Sequence, residues 1–452
     1  MTSYARRLGL FSGTLLVVGG IIGAGIFISP AVVAQRVGTG PLTMVAWGLG
    51  AVVAILGAFI FAELGARAPS AGGGYAYLRD AFGPLPAFLY GWALLLAVAS
   101  GATAAVAVTF ANYASPLLGI AAGNERTLAV TAITLFSVIN VLGVAPGAVV
   151  QNIFTLLKLA AIAGMIVSGL FFSAALTAGA DATSIAATAA AKAAPALVAP
   201  AGWTAMSVAL GTALVPVLFT YGGWQQANFV AEEMVDPQRN LPRALIIGVL
   251  IVAAAYLLVN LTYLRTLGVE ALAASKAPAA DAMAIRFGET GRRLIAVGIA
   301  ISTAGFLNVV ILVTPRVYQA MAKDGVFFRA LATLHPRTRT PVAAILLQGA
   351  WSITLVLSGS YGDLLDWVTF ADWIFFGATA ATLLVYRRRE ASGAYFLAPF
   401  HPWSTAVFLL AAGYVVLGAI VSNPMNALRG TLVLGAGIPV YLWWRRGLAT
   451  AP

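Results

Sequence analysis

Apolar residues come in long, nearly unbroken runs along this chain, and charged residues collect in the gaps between them. Neither the alternation of a half-buried strand nor the narrow stripe of a surface helix governs these runs. A helix needs about 20 predominantly apolar residues to cross a bilayer. The pattern predicts twelve such spans: Leu8–Gln35, Leu42–Arg67, Leu85–Ala111, Leu128–Leu142, Val149–Phe172, Thr204–Ala231, Ala244–Leu264, Leu294–Met321, Val342–Leu357, Leu364–Tyr386, Trp403–Val421 and Leu428–Trp444. The fourth and ninth are short. Two runs carry a glycine-weakened interruption: GGIIGAGIF, Gly19 to Phe27, in the first, and FTYGGW, Phe219 to Trp224, in the sixth. In lipid every backbone amide and carbonyl must be satisfied within the protein. A span therefore tolerates a break only where it is buried or lines a cavity. A matching pair of breaks at the starts of two halves points to a transporter's substrate site.

Composition sharpens the class. The chain of 452 residues is 61% hydrophobic and 9% charged, against about 25% charged in soluble domains. An all-α integral membrane protein follows. The net charge of +11 does not mark a nucleic-acid binder, because Lys and Arg sit in short loops where they suit lipid head groups. Their excess falls on the loops that share a side with the N-terminus, including Arg6, Arg7, Arg387, Arg388, Arg389, Arg445 and Arg446. Both termini are therefore expected in the cytoplasm. Arg6-Arg7 ahead of an apolar run resembles an export signal, but a signal core is short and is not followed by many further spans. The longest outer loops, Ser173–Trp203 and Gly268–Arg293, are too small for separate domains. Spans one to five (residues 1–173) and six to ten (174–390) each open on a broken segment, which suggests an inverted repeat. Residues 391–452, the last two spans, form an appendix.

The breaks have a chemistry of their own. Small residues at Gly23-Ala24-Gly25 let a ligand approach the backbone closely. A helix resuming after Gly25 starts with unpaired N–H groups and a positive dipole end, which together bind a carboxylate without a charged side chain. The helix ending before it exposes carbonyls around Ile21 and Ile22 that suit an ammonium, and Phe219 to Gly223 supply carbonyls from a second direction. A carboxylate and an ammonium one residue apart describe an α-amino acid. Close helix packing is the simpler alternative, since Gly19 and Gly23 also form a GxxxG pair; two breaks in corresponding positions weigh against it.

GGIIGAGIFISP resembles the first-helix signature of amino acid–polyamine–organocation transporters. FAELGARAPSAGGGYAYLRDAFG, Phe61 to Gly83, resembles their connection between the second and third helices, and FTYGGWQQANFVAEEMVDPQRNLPRA, Phe219 to Ala244, resembles the L-type amino acid transporter branch. The resemblance implies twelve helices in a LeuT-type five-plus-five inverted repeat with helices 1 and 6 discontinuous. It also implies sodium-independent movement of amino acids by alternating access. It assigns the carboxylate to the backbone of Gly23, Ala24 and Gly25 and the amine to carbonyls of Ile21, Phe219 and Gly222, with Phe219 as an aromatic gate. Relatives often carry Ser where this chain has Ala24, so one hydroxyl contact is lost. Eukaryotic L-type relatives join a glycoprotein heavy chain through a disulfide. With no cysteine that link cannot form here, and a self-sufficient, monomeric, bacterial-type protein of the inner (plasma) membrane is expected.

Charges inside spans narrow the candidates. Lys158 lies near the middle of Val149–Phe172, too deep to reach either surface easily. A mid-span lysine costs about 2.5–3.5 kcal/mol on insertion scales, so it needs a partner or a task. The resemblance puts it where sodium-coupled relatives bind a cation. Its ammonium is expected to tie carbonyls near Gly20–Gly23 to Ser302 or Thr303, and it is a candidate carrier of a coupled proton. Asp372, next to Trp373 in span ten, falls beside the substrate side chain by the same resemblance, at a position often Asn in L-type relatives. It could titrate, favour a polar or cationic substrate, or bond to neighbouring backbone. Glu63 beside Arg67 reads as an interfacial ion pair. Glu232, Glu233, Asp236, Arg239 and Arg243 read as a solvated loop or as a gate pairing with Arg6 or Arg7. The only histidines, His335 and His401, precede prolines in predicted inner loops. No nucleophile–base pair, metal spacing, nucleotide motif or cofactor site is found, which argues against an enzyme or an ATP-driven pump. No repeated pore element marks a channel. The expectation is a secondary carrier of amino acids, chiefly neutral ones, working by exchange or by proton symport.

Overall fold

The computed structural model describes residues 3–121, 123–171, 197, 199–359, 361–390, 393, 395–422 and 424–449. Most of the predicted loop Ser173–Trp203 lies outside them. All regular structure among the described residues is helical: α1 Leu10–Ile21, α2 Gly25–Val37, α3 Gly40–Arg67, α4 Gly74–Phe82, α5 Pro84–Ala93, α6 Ala99–Leu117, α7 Glu125–Val141, α8 Val144–Phe171, α9 Gly202–Tyr221, α10 Gln226–Phe229, α11 Pro237–Ala274, α12 Pro278–Val313, α13 Pro315–Lys323, α14 Val342–Ser358, α15 Tyr361–Arg389, α16 Trp403–Ser422 and α17 Pro424–Ala449. Among the described residues, seven helical stretches are long and apolar enough to cross a membrane, and eight when α1 and α2, bent by 45° at their break, count as one span. The protein is thus a multi-pass, all-helical membrane protein. α7 and α14 have 17 residues each, short for a span.

Both sequence breaks appear as breaks. α1 stops at Ile21 because Ile22 turns to an extended conformation, ψ 93°. α9 stops at Tyr221, where Gly222 takes ψ 160°, and a single turn, α10, follows. The outer segment Gly268–Arg293, expected as a loop, is instead mostly helical: α11 runs to Ala274 and α12 starts at Pro278, each bent at one glycine, Gly268 (φ 74°) and Gly288 (φ 57°). Good helix formers such as Glu270-Ala271-Leu272-Ala273 explain this. Between α5 and α6 lies a π-helical turn, Leu94–Val98, of the kind that often borders functional sites.

Two helical groups emerge from the packing. α1, α2, α3, α9 and α11 pack on one another; α6, α7, α8, α12 and α14 form a second group. α8 and α12 also touch α1, and α15 leans on α6 and α3. A small apolar core of alanines from α6 and α7 with Leu307, Ile311 and Ile345 binds the second group internally. The broken helices lie where the two groups face each other.

Candidate functional site

The two interruptions meet. Gly223 sits at φ 117°, and a Cβ there would lie 2.2 Å from the carbonyl oxygen of Gly20. Only glycine allows that approach. Around this contact lies a cavity of about 310 Å³. One wall is the break residues of both helices. The other is Leu94, Val98 and Thr109 at the π-turn and α6, Phe306 and Val310 of α12, and Asp372, Trp373 and Phe376 of α15. All eight residues expected to touch substrate, Ile21, Gly23, Ala24, Gly25, Phe219, Gly222, Asp372 and Trp373, line it.

At the breaks its polarity comes from backbone. Ala24 caps α2 with no side-chain acceptor, and the first N–H groups of any helix lack intrahelical partners. Those of Gly25 and Ile26 therefore face the break at a positive dipole end. The carbonyls released by α1 are divided among donors. Ile21 accepts from the Gly23 amide at 3.0 Å and lies 3.2 Å from the Tyr256 hydroxyl, which is also 3.3 Å from the Thr220 carbonyl. Tyr256 of α11 thus bridges the ends of both interrupted helices. Ser302 Oγ donates toward the carbonyls of Ile22 (3.3 Å) and Gly23 (3.2 Å). Phe219 O accepts the Gly222 amide at 3.2 Å. The carbonyls of Gly20 and Gly222 have no protein donor among the described residues and border the cavity. They are better placed for an amine than Ile21 and Phe219, whose oxygens already accept a hydrogen bond.

Lys158 stands behind this wall rather than in the cavity. It is buried, and its ammonium donates to Gly19 O (3.2 Å), Ile22 O (2.7 Å) and Ser302 O (3.2 Å). All three protons are used, and the charge clamps α1 to α12. Ser302 is its partner through the backbone; Thr303 is not, because its hydroxyl turns back to the Ile299 carbonyl at 2.8 Å, as threonines in helices do. The Asp372 side chain lines the cavity and makes no hydrogen bond or ion pair among the described residues. Trp373 packs edge-on to Phe376, 5.4 Å between centroids. Phe219 lines the cavity yet stays 43% exposed, so its ring does not close over it.

Past the second break the chain returns to the N-terminal segment. Glu233 pairs with Arg316 at 2.6 Å, both buried, and Leu8 pairs with Met234 as a short bridge. The expected partners Arg6 and Arg7 do not reach Glu233 with their side chains, because Arg316 holds it at the buried level; the backbone amides of Arg7 and Leu8 donate to the Glu233 carbonyl instead. Burial raises the Glu233 carboxyl above the usual range, against the pull of Arg316. Glu63 forms the expected ion pair with Arg67 (2.8 Å), is fully buried, and also gathers Arg387 (2.7 Å) and the Ala398 amide (2.6 Å). Sequence reading missed Tyr256 and Arg316, and also Gln225 and Gln226, which line the cavity, Gln225 Oε1 accepting from the Gly223 amide at 3.1 Å; a tyrosine and an arginine inside apolar runs were the signals.

Two helix breaks that face each other across one cavity, with unpaired backbone groups at its wall, are the arrangement expected of a membrane carrier. Residues 8–439 match the amino acid permease family. The chain is 32% identical over 435 residues to human b(0,+)-type amino acid transporter 1, covering 94% of this chain and 84% of that protein. It is 30% identical over 450 residues to the serine/threonine exchanger SteT of Bacillus subtilis (strain 168), covering 98% of each. Mouse large neutral amino acids transporter small subunit 2 is 30% identical over 464 residues, covering 97% of this chain and 82% of that protein. The chain belongs to the amino acid permease family and is a transporter.

Proposed function

We propose that this protein exchanges L-amino acids, chiefly neutral ones, across the plasma membrane without sodium, by alternating access. The meeting of two interrupted helices at one cavity carries this reading. A carboxylate would take the N–H groups at Ala24, Gly25 and Ile26, and an ammonium the free carbonyls of Gly20 and Gly222. In the same reading the chain spans the membrane twelve times in a five-plus-five inverted repeat, with both termini cytoplasmic. It works as a monomer without a disulfide-linked heavy chain. Lys158 supplies the fixed cation that sodium supplies elsewhere, and Phe219 closes over bound substrate. The exchanger named among its relatives favours exchange as the coupling mode.

The test is uptake of labelled amino acids into proteoliposomes. Preloading with unlabelled amino acid should raise uptake at least about tenfold, with saturation and no response to sodium. Equal uptake into empty vesicles, driven by a pH gradient, would replace exchange with proton symport. One observation favours a second reading of the substrate: the unpaired Asp372 carboxylate in the cavity suits a cationic or hydrogen-bond-donating side chain. Competition by lysine or arginine as strong as by alanine would support it.

A further inference from the structure

Behind the cavity wall runs a line of hydrogen bonds that joins four helices and ends on the first interrupted one. Asn140 Nδ2 of α7 donates to Asn308 Oδ1 of α12 at 3.0 Å, and Asn308 Nδ2 donates to Gln151 Oε1 of α8 at 3.1 Å. Gln151 Nε2 donates to Thr155 Oγ1 at 3.1 Å, and Thr155 donates to the Leu15 carbonyl of α1 at 3.1 Å. All four side chains are buried. The direction is forced. Leu15 O can only accept, so the Thr155 proton points to it. Thr155 must then accept from Gln151, and each amide behind it is oriented in turn. Aligned bonds in a low-dielectric interior polarise one another.

The line meets α1 beside the substrate site. Gln151, Thr155 and Lys158 share one face of α8, about 10 Å long at 1.5 Å per residue. They address Leu15 and the released carbonyls of Gly19 and Ile22, which share one face of α1. Gly19 admits this contact because a Cβ there would lie 2.0 Å from Gln151 Nε2. Asn152 Nδ2 adds a bond to Ser12 Oγ at 3.0 Å, on the same face. We propose that Thr155, fed by Gln151, Asn308 and Asn140, is a positioning residue that seats α1 against the second helical group and so fixes the carbonyl of Gly20 for the substrate amine. This rests on the backbone breaks being the substrate site. When the cavity opens on the N-terminal side, α1 has to leave this seat, and the line breaks at Thr155.

The test compares reconstituted wild type with Thr155→Val, which keeps the shape and removes the proton, and Thr155→Ser, which keeps the hydroxyl. Loss of a buried hydrogen bond predicts an about tenfold rise in the amino acid concentration for half-maximal binding in the valine variant, and a change under about twofold in the serine variant. Because the chain has no cysteine, Leu16→Cys, next to Leu15 in α1 and 2% exposed, reports the position of α1 without any substrate. Its maleimide labelling should quicken about tenfold with Thr155→Val and not with Thr155→Ser. Unchanged labelling and binding would overturn the proposal. Wild type that binds no amino acid would sink the functional reading, while labelling would still decide where α1 sits. Should Thr155→Val fail to fold, Gln151→Met cuts the line one bond earlier. It should quicken labelling about threefold, and no change there would equally overturn the proposal.

Discussion

The two helix breaks look alike in sequence but are secured differently. At the first, side chains from neighbouring helices grip the released carbonyls: Lys158 holds Gly19 and Ile22, Ser302 holds Ile22 and Gly23, and Tyr256 reaches Ile21. At the second, the Gly222 amide folds back on Phe219, the Gly223 amide donates to the Gln225 side chain, Tyr256 reaches Thr220, and contact with the first break relies on Gly223. The first break is thus held by a charge as well as hydroxyls, and the second by neutral groups and shape. A carrier that rocks one helical group against another needs such a difference: a joint that is seated and released as a unit, and a joint that slides.

Removing the grip on the first break should do most damage. Lys158→Ala removes the ammonium from three buried carbonyls, of which Ile22 keeps the Ser302 hydroxyl, and should lower exchange about a hundredfold, the equivalent of roughly one to two hydrogen bonds to a charge. Wild-type rates in proteoliposomes would show the two breaks to be equally self-sufficient. Close behind comes the shape of the second break. Gly223→Ala forces a side chain onto the Gly20 carbonyl at a left-handed φ and should reduce exchange about fiftyfold through strain of a few kcal/mol. Gly222→Ala has its nearest contact at 3.3 Å and should remain within about fivefold of wild type. Similar losses for both glycines would erase the distinction drawn between them. Tyr256→Phe unlinks the two breaks and should raise the half-saturating concentration about fivefold, near 1 kcal/mol for one shared hydrogen bond; a change confined to the maximal rate would argue against that bridge. Smallest is Asp372→Asn, expected to move relative uptake of cationic and neutral substrates by about threefold while leaving total exchange of neutral ones near wild type.

Much of this was legible in the chain because lipid punishes irregular backbone. Glycine clusters in otherwise apolar runs marked the breaks, and a lone lysine or aspartate in such runs marked itself. Partners were harder to read. A membrane helix is apolar on its lipid face and on its protein face alike, so periodicity does not say which neighbour Asn308 or Tyr256 meets. Thr303 was misjudged for that reason: adjacent to Ser302 in sequence, it points along its own helix. Glu233 found Arg316 rather than Arg6 or Arg7 because a fold brings residues 83 positions apart together at one depth. The loop at Gly268–Arg293 concealed helices because its charges masked good helix formers.

Backbone recognition of both poles of a zwitterion can be tested by capping each pole. Exchange of a labelled neutral L-amino acid would be competed by the same unlabelled amino acid, by its methyl ester and by its N-acetyl derivative. Strong competition by the free amino acid, with both capped forms at least about a hundredfold weaker, is the predicted result. Equal competition by either capped form would mean that the breaks do not hold that pole.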